Sequence, residues 1–144
     1  MSENALIGNA GVFFVAGELS RRGWVVMPTV RNTEGVDILA NKENTSVQLQ
    51  VKTSSQYWVW MFRKKAETLK RKSLFYIFVT LNKYDSPEYF VIPSDVVADY
   101  ITLTHKEFLK HGGSKNSPIK FPSRYGKDIL KPEDFKDRWD LLDH

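Results

Sequence analysis

Two neighbouring segments with alternating apolar and polar residues constrain the fold most strongly. Residues 36–41 are VDILAN, and residues 46–54 are SVQLQVKTS. Because the side chains of a β-strand alternate between two faces, each segment has the pattern of a strand with one buried face. Only the four residues 42–45 separate them. The sequence therefore predicts an antiparallel hairpin.

One register of this hairpin sorts its side chains into two groups. We expect Asp37 to lie opposite Gln50, so that Ile38 lies opposite Leu49. One face then carries only apolar residues, namely Val36, Ile38, Ala40, Val47, Leu49 and Val51. The other face carries polar residues interrupted by Leu39, namely Asp37, Gln48, Gln50 and Lys52. A shift by one residue would mix the two groups, which favours this register.

The polar face has the composition of a cation site. Directly opposed residues of an antiparallel pair bring their Cβ atoms to about 4.5–5.5 Å, so Asp37 and Gln50 could share one cation. Mg²⁺ prefers such oxygen ligands and keeps several waters. Lys52, on the same face, could orient or help deprotonate an attacking water and offset phosphate charge. We therefore predict metal-assisted phosphodiester hydrolysis with Asp37, Gln50 and Lys52 as catalytic residues.

A helix precedes the hairpin and carries a further candidate ligand. Ser2 or Asn4 can cap a helix that runs to about residue 22, where Gly23 favours a left-handed stop. Gly11 and Glu18 lie on its packed face, and a glycine there indicates a close approach to a sheet or a ligand. Glu18 could reach the cation directly or through water. The alternative is an exposed glutamate paired with the arginines at positions 21 and 22.

The remaining segments complete an α/β pattern. We predict strands at residues 24–30, near a sheet edge because of Pro28, at 74–81, buried on both faces, and at 88–92. A polar turn is expected at 31–34, a strand or loop at 57–62 and an exposed helix at 63–72. Short helices are expected at 95–100, from 104 to about 111, and after Pro132. The fold class is thus a central mixed sheet of about five strands flanked by helices, in the order αβββαββ and then α.

Three motifs together resemble the PD-(D/E)XK nuclease superfamily. They are Glu18 on the first helix, GVDILA around Asp37, and the Gln-x-Lys sequence of residues 50–52. The resemblance covers about residues 5–92; a glutamate on the preceding helix is similar to Holliday-junction resolvases, and Gln-x-Lys is similar to Mrr-like restriction enzymes. It implies a restriction-endonuclease-like core in a single domain of residues 1–144, with residues 93–144 as a helical and loop-rich extension. It also implies Mg²⁺ or Mn²⁺ held by Asp37, Gln50, Glu18 and the backbone carbonyl of Val51.

The sequence departs from the superfamily pattern at two positions. Val36 stands where proline is usual, and Gln50 stands where an acid is usual. The glutamine removes one negative charge, which weakens Coulomb attraction to a divalent cation. A catalytically inactive nuclease-fold module that binds nucleic acid or a protein is therefore a second hypothesis. A structural interaction domain without a nucleic-acid role is a third.

Basic and aromatic residues follow the hairpin. The net charge is +4, and basic residues concentrate in residues 63–72. Lys64, Lys65, Arg71 and Tyr57 are candidates for gripping phosphates and stacking on bases. The alternative is that the lysines form a solvated surface and the aromatic residues of this segment enter the core. DNA is the predicted partner, RNA stays an alternative, and a homodimer would allow both strands of a duplex to be cut.

Composition bears on the cellular location. The chain has no cysteine, which fits a reducing compartment. The sequence shows neither a secretory signal nor an apolar run of the roughly 20 residues that a bilayer requires. We therefore expect a cytoplasmic protein.

Overall fold

The computed structural model describes residues 1–30 and 35–143, so the predicted turn at 31–34 lies outside the described residues. The helices are α1 (Glu3–Arg21) and α2 (Ser94–Lys110). The strands are β1 (Val25–Pro28), β2 (Ile38–Lys42), β3 (Thr45–Ser54), β4 (Trp60–Phe62), β5 (Leu74–Thr80), β6 (Glu88–Pro93) and β7 (Ile119–Phe121). Short 3-10 helices cover Lys64–Thr68, Pro132–Phe135 and Trp139–Leu142.

Helix α1 has the predicted bounds and caps. The Ser2 hydroxyl accepts a hydrogen bond from the Ala5 amide at 3.2 Å, which satisfies one free N–H of the first turn. Gly23 has φ +89 just beyond the helix, a conformation that glycine adopts without strain. Within the described ranges, neither this helix nor any other is both long and apolar enough to span a membrane.

The main sheet has five strands in the order β1-β2-β3-β5-β6. Strands β3 and β5 are parallel, while the other neighbouring pairs are antiparallel. This confirms the predicted α/β fold with a mixed sheet of about five strands. Strand β1 is an edge strand that contains Pro28, and all seven residues of β5 are buried, as expected for a strand covered on both faces.

The hairpin adopts the predicted register along β2. Ile38 lies opposite Leu49, and the pairing continues to Lys42 opposite Thr45. The turn is therefore the two residues 43–44 rather than the four residues 42–45. Glu43 takes φ +53, the left-handed conformation that such tight turns require.

The sheet separates two apolar layers. Helix α1 and the last 3-10 helix pack on one face, where Leu19, Leu49 and Leu142 belong to one buried cluster. Helix α2 and the small β4–β7 sheet pack on the other face, around Phe78 and Tyr100. The alternating residues of β3 point to these two layers in turn.

Three helix predictions are wrong in detail. Residues 94–110 form one helix instead of two, because Ile101 and Thr104 continue the buried face of α2 across the predicted gap. The basic segment forms only a five-residue 3-10 helix. The C-terminal segment forms two 3-10 helices rather than one α-helix, with Asp137 at φ +54 between them.

Candidate active site

Asp37 lies where β2 diverges from β3. The backbone amide of Asp37 donates to the Leu49 carbonyl at 2.8 Å, and the Thr29 amide donates to the Asp37 carbonyl at 2.9 Å. The Asp37 Oδ2 atom accepts a hydrogen bond from the Val51 amide at 2.7 Å. The carboxylate thus takes the place of a backbone partner for Val51, and the β2–β3 ladder ends at Ile38. Asp37 is therefore not paired opposite Gln50, although the sequence had predicted that pairing.

The surroundings of Asp37 oppose its ionisation. Burial raises the pKa of this carboxyl group above its usual value, while the Val51 hydrogen bond and the positive charge of Lys52 act in the other direction. The carboxylate is therefore held in place on the β3 backbone, near a cation, at a location that water solvates poorly.

Gln50 occupies the middle of β3 and faces the α2 side. Its side-chain oxygen Oε1 is buried and has no hydrogen-bond partner in the part of the chain that the structure describes. A buried, unpaired acceptor normally costs about 1–3 kcal/mol. An oxygen in this state is suited to a ligand that supplies positive charge or a donor.

Lys52 lies two residues further along the same face of β3. Its Nζ atom is 5.2 Å from the centre of the Phe62 ring. Burial lowers the pKa of this ammonium group; Asp37 opposes the shift, while Lys65 and Arg63 add to it. The side chain is thus closer to losing its proton than an exposed lysine.

Gln50 and Lys52 line a cleft of about 560 Å³, which Lys65 and Arg63 border with positive charge. Asp37 itself is not among the lining residues, although Gly35, two residues before it, is. A second groove of about 450 Å³ adjoins the cleft at Arg63 and is lined by Lys64 and Lys115. The cleft and the groove together form a positively charged depression.

The donor atoms fit a loosely held hard cation. Among residues 1–30 and 35–143, no three side chains of His, Cys, Asp or Glu gather in a group that could bind a metal ion. One carboxylate, Asp37, and the unpaired Gln50 oxygen remain. Mg²⁺ usually needs only one or two protein carboxylates when waters and substrate phosphates complete its shell. Asp37 and Gln50 therefore have the donor types that such an ion prefers.

Glu18 does not join this group. Its carboxylate accepts from Arg22 Nε at 2.9 Å and pairs with Arg21 Nε at 3.3 Å. Helix α1 covers the opposite face of the sheet from the cleft, and the Glu18 charge acts on Tyr89 of β6. The structure therefore shows the alternative arrangement, a helix glutamate paired with its own arginines.

The predicted nucleic-acid-binding residues do not all lie at the cleft. Tyr57, Lys64, Lys65 and Arg71 are all exposed. Lys65 lines the cleft and Lys64 lines the adjoining groove. Arg71 lies elsewhere, where its backbone amide and carbonyl both bond the Ser94 hydroxyl, at 3.0 and 2.8 Å. Trp60 is buried with its ring 5.4 Å from that of Phe90, so it belongs to the core.

Sequence reasoning missed two contributors to the depression. Tyr76 of β5 lines the cleft, although its segment resembles a uniformly buried strand. Lys115 belongs to a loop far from the hairpin in sequence. The only sequence signal for Tyr76 is a hydroxyl group within an apolar run, and nothing local to Lys115 predicts its position.

Comparisons with known proteins identify the fold. No family model matches the chain, and no curated protein matches it. Among solved structures, a bacterial homing endonuclease, I-Ssp6803I, matches with a TM-score of 0.61 at 18% identity; the match covers 99% of this chain and 92% of that one. The chain therefore has a restriction-endonuclease-like fold, an α/β fold with a five-stranded mixed sheet. The fold implied by the sequence resemblance is confirmed.

Proposed function

We propose that this protein is a metal-dependent nuclease that hydrolyses phosphodiester bonds in DNA. The observation that carries the proposal is that Asp37 bonds the β3 backbone close to the charge of Lys52, while Lys52 and Gln50 line a positively charged cleft. A surface of ordinary polar residues would leave their polar atoms in water. Here the Gln50 Oε1 atom is buried without a partner among the described residues, and burial perturbs the pKa values of Asp37 and Lys52.

Each residue has a distinct role in this proposal. Asp37 and the Gln50 oxygen hold the cation, and the Val51 carbonyl remains a predicted third ligand. A bound Mg²⁺ or Mn²⁺ supplies positive charge for the phosphate oxygens. Lys52 orients the attacking water, and its lowered pKa increases the fraction of neutral amine that is available to accept a proton. In its charged form, Lys52 instead offsets the negative charge that develops on the phosphate.

DNA is the proposed substrate because of charge and fold. Lys65 and Arg63 border the cleft, and Lys64 and Lys115 line its continuation, so a phosphate backbone would meet cations along both. The matched solved structure is that of a homing endonuclease. The substrates to compare are single-stranded, double-stranded and branched DNA, with RNA as an alternative. A homodimer and a cytoplasmic location are part of the same proposal.

The test is cleavage by the purified protein with Mg²⁺ or Mn²⁺. We expect the wild type to cut DNA and Asp37→Ala to abolish cutting while its circular dichroism spectrum stays native. Glu18→Gln is the matched acidic control, and it should retain cleavage because Glu18 lies on the other face of the sheet. If the wild type cuts no form of DNA or RNA, the enzymatic proposal is wrong. If Glu18→Gln is as inactive as Asp37→Ala, the proposed ligand set is wrong.

A non-catalytic, nucleic-acid-binding module is the second candidate function. The observation that favours it is the neutral Gln50 where an acid is usual, which leaves Asp37 as the only carboxylate among the described residues placed at this site. Calorimetry of Mn²⁺ binding to the wild type and to Gln50→Glu separates the two candidates. A nuclease should bind Mn²⁺ through Asp37 before substitution, and Gln50→Glu should tighten that binding. An inactive module should bind DNA but no Mn²⁺.

A further inference from the structure

We propose that Tyr76 is an additional binding residue of the cleft, where its hydroxyl donates a hydrogen bond to an oxygen that enters with the cation or the substrate. The inference rests on the proposed nuclease function and adds a residue that the sequence motifs do not contain. The acceptor is either a water bound to the cation or a non-bridging phosphate oxygen. Both present the same chemistry to a phenol, an oxygen with free lone pairs.

The first support is the position of Tyr76. In the parallel pairing of β3 with β5, Tyr76 lies beside Gln50. Neighbouring residues at matched positions of a sheet point to the same face, so the phenol and the glutamine amide share the cleft side. Both residues line the cleft together with Lys52. The three side chains therefore form its floor.

The second support is an unpaired hydroxyl group. The Tyr76 OH is buried and, across residues 1–30 and 35–143, bonds to no other group. Buried tyrosines normally find a partner for this group. Tyr100, on α2, shows the usual case: its OH accepts from the Ser123 amide at 2.8 Å and donates to the Lys120 carbonyl at 3.3 Å. A donor at Tyr76 and an acceptor at Gln50 are left unpaired beside each other.

The third support is that the ring is fixed while the hydroxyl is left without a bond. The Phe62 ring meets the Tyr76 ring edge-on, with centres 5.4 Å apart at 70°, and Phe78 lies 6.0 Å away in a stacked orientation. The ring thus has little freedom to seek a partner elsewhere. A phenol keeps its proton at neutral pH, so the Tyr76 hydroxyl can act as a donor.

Both oxygens are shielded from solvent in the present arrangement. Both residues nevertheless line the cleft, so a ligand that enters it comes next to their side chains. The incoming oxygen would then recover hydrogen bonds that the folded chain leaves unmade. Unpaired groups of this kind are expected to favour the bound state over the empty one.

The experiment compares Tyr76→Phe with Tyr100→Phe. Removing the Tyr76 hydroxyl deletes an unpaired buried group, so the Tm should stay the same or rise, whereas Tyr100→Phe breaks two hydrogen bonds and should lower it. We expect Tyr76→Phe to reduce kcat/KM for DNA cleavage by about 10- to 100-fold, the usual effect of losing a hydrogen bond to a charged group. Tyr100→Phe should leave cleavage unchanged.

Two binding measurements identify the acceptor. Weaker Mn²⁺ binding by Tyr76→Phe in the absence of DNA indicates a cation-bound water. Unchanged Mn²⁺ binding with weaker binding of DNA in Ca²⁺ indicates a phosphate oxygen. If the wild type cleaves and Tyr76→Phe matches it in cleavage and in both binding measurements, the inference is overturned while the proposed function stands. If the wild type itself neither cuts nor binds DNA, the proposed function fails and the inference fails with it.

Discussion

The two faces of the central sheet differ in the side chains that they carry, and strand β3 contributes residues to both. On the α1 side, Leu49 is completely buried among apolar side chains, although the Thr53 hydroxyl and the Trp139 indole nitrogen on that side have no hydrogen-bond partner within the described residues. On the α2 side, the adjacent residues Gln50 and Lys52 carry a buried unpaired oxygen and an ammonium with a lowered pKa. Both faces therefore leave some buried polar atoms unpaired, and the α2 face differs in also holding a partly buried charge, Lys52, at a cleft, which gives up stability.

The packing of α1 shows how closely the first face is fitted. A Cβ atom on Gly11 would lie 1.8 Å from the Thr53 Oγ1 atom. The helix therefore lies so close to β3 that only a residue without a side chain fits at this position. This confirms the sequence expectation of a close approach at Gly11. A Cβ atom on Gly17 of the same helix would have no neighbour within 4 Å. Close packing is therefore confined to the buried side of α1.

The largest expected contrast between the faces comes from Lys52→Met and Leu49→Ala. Lys52→Met should reduce cleavage by about 10³-fold or more, equivalent to roughly 4 kcal/mol of transition-state stabilisation. Its stability should not fall, because methionine keeps the apolar stem and removes a charge that burial disfavours. Leu49→Ala should lower the free energy of unfolding by about 2–5 kcal/mol. Urea unfolding and a cleavage assay on both variants would test this contrast. The contrast is contradicted if Lys52→Met is less stable than Leu49→Ala.

A smaller effect is expected from the helix glycines. Gly11→Ala should destabilise the protein by about 1–3 kcal/mol, because the added methyl group overlaps Thr53. Gly17→Ala is the matched control and should stabilise it by up to about 1 kcal/mol, the difference in helix propensity. Thermal unfolding of both variants provides the measurement. Equal effects from the two substitutions would show that α1 is not packed closely on β3.

The charge of Asp37 should make stability depend on pH. Burial raises the pKa of Asp37 above its ordinary value of 3.8, so the folded state binds this proton more tightly than the unfolded chain does. The wild type therefore loses stability as the pH rises from 3.8 through the folded-state pKa. Asp37→Asn keeps an acceptor for the Val51 amide without the charge. It should be more stable than the wild type at neutral pH, with the difference disappearing below pH 3.8.

The measurement for Asp37→Asn is urea unfolding at a series of pH values, with Asp99→Asn as the control at an exposed helix position. A variant that is less stable than the wild type at neutral pH would mean that the Asp37 charge is stabilising overall. The polar face would then not be giving up stability at this residue.

The smallest effect is expected at the border of the cleft. If Lys65 neutralises one phosphate, Lys65→Ala should reduce the slope of log K against log salt for DNA binding by about 1. Lys110→Ala is the matched control, because Lys110 pairs with Glu107 at 3.1 Å on α2 and does not line the cleft or the adjoining groove. Fluorescence anisotropy at several salt concentrations would show the difference. Equal slopes for the two variants would remove Lys65 from the DNA-binding surface.

The local patterns of this chain determined most of its central sheet. Alternation along residues 36–41 and 46–54 favoured the observed register, since a shift by one residue would put Ile38 and Leu49 on opposite faces. The apolar run that begins at Leu74 predicted β5, and Ser2 with Gly23 predicted the bounds of α1. Each of these signals is contained within a few neighbouring residues, so each can be recognised without knowing the rest of the fold.

Tertiary structure decided what no local pattern contains. The pairing of β4 with β7 joins Trp60 to Phe121, and the divergence of β2 from β3 places Asp37 on the Val51 amide. Tyr76 lines the cleft only because β5 lies parallel to β3, while Glu18 lies away from it because α1 packs on the opposite face. These outcomes depend on the choice of faces and partners between distant segments. Which faces and segments pair depends on how the apolar side chains of the whole chain are buried at once. The pairing is therefore determined only when the complete chain folds.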